Sequence, residues 1–207
     1  MPVDEPLFPI NVRLSGYRCL VVGGGQVAEA KARKLLAAGA IVDVVAPHIL
    51  DSLAVLQGVT AHRRPYRKGE AEGYRLVITA TDDPRVNAAV FADGEQAAVL
   101  VNSADDPENC AFTLPAVVRR GPIMFTVSTG GHSPALAAWF RRGLEADIGP
   151  EYETLLEILS DERRQLRSDG KSTEIPGWQK ALNSGMLEAI RAGRIDEAKE
   201  ILRLCLS

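Results

Sequence analysis

The stretch that decides the fold is Cys19-Leu-Val-Val-Gly-Gly-Gly-Gln-Val-Ala28, in which a β-branched apolar run leads directly into a glycine-rich turn. Residues 29 to 38 follow with a composition typical of a helix, and Gly39 marks the helix end. The predicted order is therefore strand, tight turn, helix. In such a junction Gly23 permits the turn, Gly25 lets a diphosphate approach the backbone, and Ala28 keeps the helix close to the sheet.

This junction predicts a dinucleotide site, because the unpaired N–H groups of a helix N-terminus and the helix dipole favour an anion. Glycine-rich turns also serve as plain connectors, but a second strand at residues 41 to 46 favours dinucleotide binding here. The carboxylate that usually binds the adenosine ribose is missing, since Ala46-Pro47-His48 end that strand. Asp43 has about the right separation but lies in mid-strand. The choice between NAD and NADP therefore stays open, with backbone groups of Pro47 and His48 as the ribose candidates.

Further along the chain, apolar runs alternate with amphipathic stretches up to about Ser103, as expected of a parallel sheet covered by helices. The predicted strands are residues 19–22, 41–46, 59–62, 76–79 and 99–102, and the predicted helices are residues 27–38, 49–56 and 86–92. Right-handed crossovers then give an α/β fold with a Rossmann-type, doubly wound parallel sheet.

The pattern changes after Pro107. Two short strands are predicted at residues 117–119 and 123–128, and a helix is predicted from Ser133, as its cap, to about Ala146. Beyond Pro150 only helices are predicted, at residues 151–167, 186–192 and 196–206. We therefore expect a dinucleotide-binding domain over residues 1–113, a small α+β segment over 114–149 and a helical C-terminal domain over 150–207.

Composition excludes several classes of protein. The 207 residues are 46% hydrophobic and 25% charged, which indicates a folded, soluble chain. A net charge of -3 offers no long-range attraction to nucleic acid or to an anionic membrane. Residues 1 to 11 lack the features of a signal peptide, and no stretch is apolar enough to span a bilayer. The three cysteines are widely separated, and neither His48 nor His62 has an acidic or thiol partner at ligand spacing, so we expect a cytoplasmic protein without a metal cage.

A second loop, which contains no glycine, adds to the predicted dinucleotide site. The string Thr79-Ala-Thr-Asp-Asp83 follows the fourth strand, and loops at the carboxyl ends of parallel strands border the cofactor crevice. The cofactor-binding candidates are therefore Gly23, Gly25, Gln26, Val27, Ala28, Pro47, His48, Thr79, Ala80, Thr81 and Asp82.

Four motifs in one order give the chain a family resemblance. They are Val21-Val-Gly-Gly-Gly-Gln-Val-Ala28, Thr79-Ala-Thr-Asp-Asp83, Asn102-Ser-Ala-Asp-Asp-Pro107 and Val127-Ser-Thr-Gly-Gly-His-Ser-Pro134. From about Pro9 to its C-terminus the sequence resembles the precorrin-2 dehydrogenase family, which makes sirohydrochlorin on the way to sirohaem. The resemblance implies an oxidoreductase with NAD as cofactor, a middle segment that forms an intertwined homodimer, and a helical tail that completes the tetrapyrrole cleft. Some members are also ferrochelatases that insert iron or cobalt, so Fe²⁺ or Co²⁺ would be a transient partner.

The resemblance also implies a catalytic residue. Asp105 matches the functional aspartate of the family's Asn-x-x-Asp-x-Pro pattern, and we expect it to accept the proton that leaves precorrin-2 as hydride goes to the nicotinamide. The alternative is that Asp105 or Asp106 only caps a turn before Pro107.

Two regions are candidates for binding the substrate carboxylates. The residues Ser128, Thr129, Gly130, Gly131 and His132 precede a helix and could offer backbone N–H groups, or they could simply form its capping turn. The guanidinium groups of Arg119 and Arg120 suit carboxylates, but they could equally be surface charges or helix-end partners.

Two other functions are left open by the residues. One is a dinucleotide-sensing regulator without catalytic activity, and the other is a dehydrogenase without chelatase activity. From its 207 residues we expect no methyltransferase domain of the kind that is fused to longer relatives.

Overall fold

The structure is a computed structural model that describes residues 6–104 and 106–206, with no side-chain description for Pro107. The described chain forms two compact units. The first runs to Leu114 and includes Gly130–His132, and the second comprises Pro115–Thr129 and the chain from Ser133 onward.

The first unit is built on a five-stranded, fully parallel sheet with the strand order β3-β2-β1-β4-β5. Its strands are β1 Arg18–Val22, β2 Ile41–Ala46, β3 Val59–Arg63, β4 Leu76–Thr79 and β5 Leu100–Ser103. The helices are α1 Gln26–Ala37, α2 Asp51–Ala54 and α3 Pro84–Ala97, and a single 3-10 turn spans Pro107–Asn109. The strand order reverses between β1 and β4, so a ligand crevice is expected at the carboxyl ends of these two strands. The predicted Rossmann-type fold is confirmed.

Both faces of this sheet are covered, which explains why its central strands β1, β2 and β4 are almost continuously apolar. Cys19 and Val21 of β1 pack in a buried cluster with residues of α1 and α2. Leu20 and Val22, which alternate with them, pack on the opposite face with Val90 of α3. The sheet therefore holds the strand ends, and the loops that follow them, in fixed positions.

The second unit contains an antiparallel hairpin followed by helices. Strands β6 Ala116–Arg120 and β7 Ile123–Val127 pair around Gly121, whose φ of +51° lies in the left-handed region. The helices are α4 Pro134–Asp147, α5 Glu151–Ser168, α6 Gly177–Leu182, α7 Met186–Arg191 and α8 Ile195–Leu206. Leu155, Met186 and Leu202 lie at the centre of a buried cluster formed by α5 to α8. A small α+β segment and a helical C-terminal region are thus present as predicted.

Some boundaries differ from the prediction for physical reasons. Helix α2 has four residues instead of the eight predicted, because the Leu50 N–H is bonded to the Gly24 carbonyl and Gly58 takes a φ of +88° beyond the helix end. Helix α3 is longer than predicted, because Asp83 caps it and Pro84 is its first residue. Helix α6 was not predicted at all, since six residues that begin with glycine give too short a periodic pattern.

No helix in the described part of the chain is long and apolar enough to cross a membrane.

Candidate functional site

The glycine-rich turn between β1 and α1 is clamped by the loops that follow the two strands next to β1. A Cβ atom on Gly23 would lie 2.1 Å from the Ala80 carbonyl oxygen, and one on Gly24 would lie 1.9 Å from the His48 carbonyl oxygen. The Leu50 N–H donates to the Gly24 carbonyl at 2.9 Å, and the Ala80 N–H donates to the Val22 carbonyl at 2.8 Å. Glycine is required at both positions because neighbouring backbone fills the space of a side chain. The turn therefore brings together the predicted cofactor residues that follow β1, β2 and β4.

Gly25 has the opposite surroundings. No atom lies within 4 Å of the position that a Cβ on Gly25 would take. Gly25 is also the N-cap of α1, where no side chain accepts a capping hydrogen bond. Gln26 and Val27 are exposed, whereas Ala28 is fully buried against the sheet. Open space therefore adjoins an uncapped helix N-terminus, and this combination fits the diphosphate of a dinucleotide.

On the β2 side of the turn, Pro47 and His48 are both exposed, whereas Asp43 is buried and hydrogen-bonded to other side chains. The Asp43 side chain is 7% exposed and accepts a hydrogen bond from Arg18 Nη2 at 3.0 Å. His62 Nε2 lies 2.9 Å from the other Asp43 oxygen, Oδ1. His62, which has no acidic partner at metal-ligand spacing in the sequence, thus gains one in the fold, because neighbouring parallel strands join residues that sequence spacing keeps apart. Asp43 is not available to a ribose.

On the β4 side, the candidates divide into buried and accessible residues. Thr79 is fully buried, and its hydroxyl donates to Ser103 Oγ at 2.8 Å, which ties β4 to β5. Thr81 is half-buried, and its Oγ1 accepts from the Asp83 N–H at 3.0 Å. Asp82 is exposed. Direct contact with a ligand is therefore open to Ala80, Thr81 and Asp82, while Thr79 holds the strand ends in place.

Asn87 of α3 is a residue of this region that the sequence did not single out. Its Nδ2 donates to the Thr81 carbonyl at 3.2 Å, which fixes the loop after β4. Its Oδ1 is buried and has no hydrogen-bond partner in the described part of the protein. No sequence pattern points to Asn87, because an asparagine in the first turns of a helix has no motif of its own.

The expected catalytic residue, Asp105, lies outside the described residues, but the flanks of its loop are well defined. The Ala104 N–H donates to the Thr79 carbonyl at 2.9 Å. On the other flank, Cys110 Sγ accepts from the Ser103 N–H at 3.2 Å, and burial raises the pKa of this thiol. Asn102 Nδ2 donates to the Phe112 carbonyl at 2.8 Å. One flank of the loop is therefore fastened to the end of β4 and the other to β5.

Asp106 gives partial support to the capping alternative for this loop. It stands at the N-cap of the 3-10 turn, and its carbonyl accepts from the Asn109 N–H at 3.1 Å. Its side chain makes no capping bond and instead accepts from Asn109 Nδ2 at 2.6 Å. Asp106 thus shapes the turn.

The predicted substrate turn before α4 does cap that helix. Ser133 Oγ accepts from the Leu136 N–H at 3.2 Å, and Thr129 Oγ1 accepts from the Ser133 N–H at 3.2 Å. Gly130 and Gly131 have φ values of +58° and +81°, which glycine adopts without strain. Capping accounts for Thr129 and the glycines, and anion binding by this turn stays a prediction.

The two candidate arginines of β6 differ from each other. Arg120 donates from Nε to the Ile148 carbonyl at 2.7 Å and from Nη2 to the Glu145 carbonyl at 2.8 Å. These contacts correspond to the helix-end alternative, because they satisfy carbonyls at the end of α4. Arg119 is exposed, so it is the better candidate of the two for a substrate carboxylate.

Over residues 6–104 and 106–206, no group of three or more His, Cys, Asp or Glu side chains is placed so that it could hold a metal ion.

The sequence profile of a family described as putative NAD(P)-binding matches residues 10–116, which contain the glycine-rich turn and all five strands of the sheet. The chain belongs to this NAD(P)-binding family. The description of this family names a nicotinamide dinucleotide as the ligand. The open space beside Gly25 fits the diphosphate of such a ligand.

Several siroheme synthases are similar to this NAD(P)-binding family member along nearly its whole length. That of Chromobacterium violaceum is 41% identical over 92% of this chain and 41% of its own length. That of Methylococcus capsulatus is 35% identical over 94% of this chain and 42% of its own length. The chain thus spans about two fifths of the relatives that it matches.

A solved structure of SirC, a precorrin-2 dehydrogenase, has the same fold. It superimposes with a TM-score of 0.74, covering 96% of this chain and 98% of that one, at 23% identity. At this identity the match shows a shared fold, and it agrees with the resemblance that the four motifs indicate.

Proposed function

We propose that this chain is a NAD-dependent precorrin-2 dehydrogenase that produces sirohydrochlorin for sirohaem biosynthesis. The observation that carries the proposal is the open space beside Gly25 at the uncapped N-terminus of α1, which suits a diphosphate. The siroheme synthases and the SirC structure to which the chain is similar support the substrate class.

The chain's own residues would bind and orient the reactants. The first-turn N–H groups of α1 would hold the diphosphate, with Pro47 and His48 beside the adenosine ribose and Ala80 to Asp82 beside the other half of the dinucleotide. When bound, NAD supplies the oxidant that takes a hydride from the substrate. Asp105 would accept the proton that leaves in the same oxidation.

The substrate is rich in carboxylates, which calls for hydrogen-bond donors. We assign them to the turn from Ser128 to His132, through its backbone N–H groups, and to the exposed guanidinium of Arg119. Arg120 would act indirectly, because its donors already bind the end of α4.

Replacing the proposed proton acceptor tests the reaction. Asp105→Asn should lower the rate of sirohydrochlorin formation at least about 100-fold, the usual contribution of a general base, with the Kd for NAD within about twofold of wild type. Absorbance of NADH and of sirohydrochlorin would follow turnover, and calorimetry would give the Kd.

The matched control is Asp106→Asn, since this neighbour contacts Asn109 and is not assigned to the reaction. An equal loss in both variants, or none in Asp105→Asn, would refute the role of Asp105. A wild-type chain that binds NAD but never oxidises precorrin-2 would instead be the dinucleotide-sensing regulator.

Metal insertion is a second activity that we propose for the same chain, since the relatives are named siroheme synthases. Fe²⁺ or Co²⁺ would be a substrate held only in passing, with Asp105 assisting deprotonation of the pyrroles. Faster loss of sirohydrochlorin absorbance with enzyme and ferrous or cobaltous ion than with the ion alone would support it. Equal rates would leave a dehydrogenase only.

We further propose that the protein works as a homodimer in the cytoplasm. Support for the dimer comes from α4, on which none of the 14 residues is buried. Leu136, Trp139 and Phe140 of this helix are 45%, 61% and 45% exposed. Such a cluster of large apolar side chains marks a surface for association.

A further inference from the structure

We propose that the adenosine-ribose end of the dinucleotide site accepts a 2′-phosphate, so that NADP binds there as well as NAD. This inference rests on the proposed dinucleotide site and concerns its specificity. It starts from the rim formed by the ends of β2 and β3 and the beginning of α2.

The rim lacks the group that usually excludes NADP. In dinucleotide-binding folds, a carboxylate at the end of the second strand binds the ribose 2′-hydroxyl, and its charge repels a 2′-phosphate. In this chain Ala46 ends β2, and Pro47 and His48 follow it. The carboxylate of Asp43, three residues earlier, is buried and bonded to Arg18 and His62.

The side chain next to the end of β2 is the cation Arg63. Arg63 ends β3 and is the register partner of Ala46 in the parallel pair of β2 and β3. Neighbouring strands lie about 5 Å apart, so the Arg63 backbone adjoins the end of β2. The Arg63 side chain is 52% exposed, and its planar guanidinium can bind a phosphate with two hydrogen bonds.

The carboxylates on this rim are already paired with cations. Arg63 Nη2 lies 3.1 Å from Asp51 Oδ1, but the Asp51 side chain is 97% exposed, so the pair is weak and a phosphate can replace the carboxylate. Glu29 of α1 accepts from Arg33 at 2.6 Å and from Ser52 at 2.7 Å. Glu29 therefore keeps its partners when a cofactor binds, and the charge of Asp51, once released from Arg63, is screened by solvent because this side chain is almost fully exposed.

His48 adds a second polar group at a fixed place. Its carbonyl oxygen lies so close to Gly24 that no side chain fits between them, which holds His48 beside the turn that receives the diphosphate. Its exposed imidazole can donate a hydrogen bond to either a hydroxyl or a phosphate. The rim therefore has donors for both cofactors and no group that selects against the phosphorylated one.

Binding constants for NAD and NADP test this directly. For the wild type we expect the two Kd values to differ by no more than about tenfold. Arg63→Ala should raise the Kd for NADP about tenfold and leave that for NAD within about twofold, because only the 2′-phosphate uses the guanidinium. His48→Asp should restore discrimination, with the Kd for NADP raised at least about 100-fold. Arg75→Ala is the matched control, since Arg75 precedes β4 and its guanidinium lies 5.0 Å from the centre of the Tyr17 ring.

The outcomes separate this inference from the proposed function. If the wild type binds neither cofactor, both fail. If it binds NAD but binds NADP more than about 100-fold more weakly, or if Arg63→Ala weakens both cofactors equally, the inference fails while the proposed dehydrogenase stands.

Discussion

Gly24 and Gly25 are adjacent in the chain, yet an added methyl group should affect them in different ways. In Gly24→Ala the new Cβ meets the His48 carbonyl oxygen at 1.9 Å, so the backbone must shift, and we expect a loss of about 1–3 kcal/mol of stability. In Gly25→Ala nothing lies within 4 Å, so the loss of stability should stay below about 1 kcal/mol, the cost of replacing glycine by alanine at a helix N-cap. The methyl group would instead stand where the diphosphate approaches, and the Kd for NAD should rise about tenfold or more.

Urea denaturation and calorimetry on the two variants would check this pair of expectations. Normal NAD affinity in Gly25→Ala would remove the main support for the dinucleotide site.

Cys19 gives a prediction about alkaline pH. Burial in β1 raises the pKa of its thiol from 9.0 to about 11, so the folded state holds this proton more tightly than the unfolded chain does. The resulting stabilisation is complete below pH 9 and is lost as the pH rises from about 9 to 11, by roughly 2–3 kcal/mol in total.

Denaturation curves across this range should show the decline in the wild type and less of it in Cys19→Val. An identical decline in both proteins would assign the effect to other groups.

Single residues also show what sequence alone could and could not predict. The tight turn at Gly23 and the buried position of Ala28 follow from one local motif, which also predicts the diphosphate at Gly25. The partnership of Asp43 with His62 did not, because it depends on the register between two strands that are joined by a long connection.

At the scale of single elements, Arg119 and Arg120 of β6 form a natural matched pair. Arg120→Ala removes donors from the Ile148 and Glu145 carbonyls at the end of α4, so we expect a loss of about 1–2 kcal/mol in stability. Arg119→Ala, at an exposed position, should leave stability within about 0.5 kcal/mol and raise the KM for precorrin-2.

Thermal denaturation and steady-state kinetics would distinguish the two effects. A stability loss in Arg119→Ala would show that its side chain has a structural contact.

Elements with strong local patterns were predicted well. Strands β2 and β4 begin and end where the sequence places them, since each is an apolar run with clear limits. The start of helix α2 was not predicted well. A tertiary hydrogen bond from the Leu50 N–H to the Gly24 carbonyl precedes the helix, which begins only at Asp51. The role that we propose for Asp105 rests on family resemblance, because no periodicity distinguishes a catalytic aspartate from one in a turn.

At the scale of the whole molecule, the exposed apolar side chains of α4 predict self-association. Trp139→Ser should weaken the dimer, because Trp139 is 61% exposed and packs edge-to-face on Phe140 at 5.1 Å. Light scattering over a range of concentrations should show the variant as a monomer where the wild type is a dimer. Lys199→Ser, at an exposed position of α8, is the control and should not change the molar mass. A monomeric wild type would contradict the proposal.

The lack of any buried side chain on α4 has a consequence for handling the protein. Helix α4 contacts β6 and β7, but none of its 14 residues is more than partly buried, so packing within one copy stabilises it only weakly. If a second copy packs against α4, dilution of the protein should destabilise this helix. Amide exchange along α4 should then become faster as the protein concentration falls, while the parallel sheet stays protected.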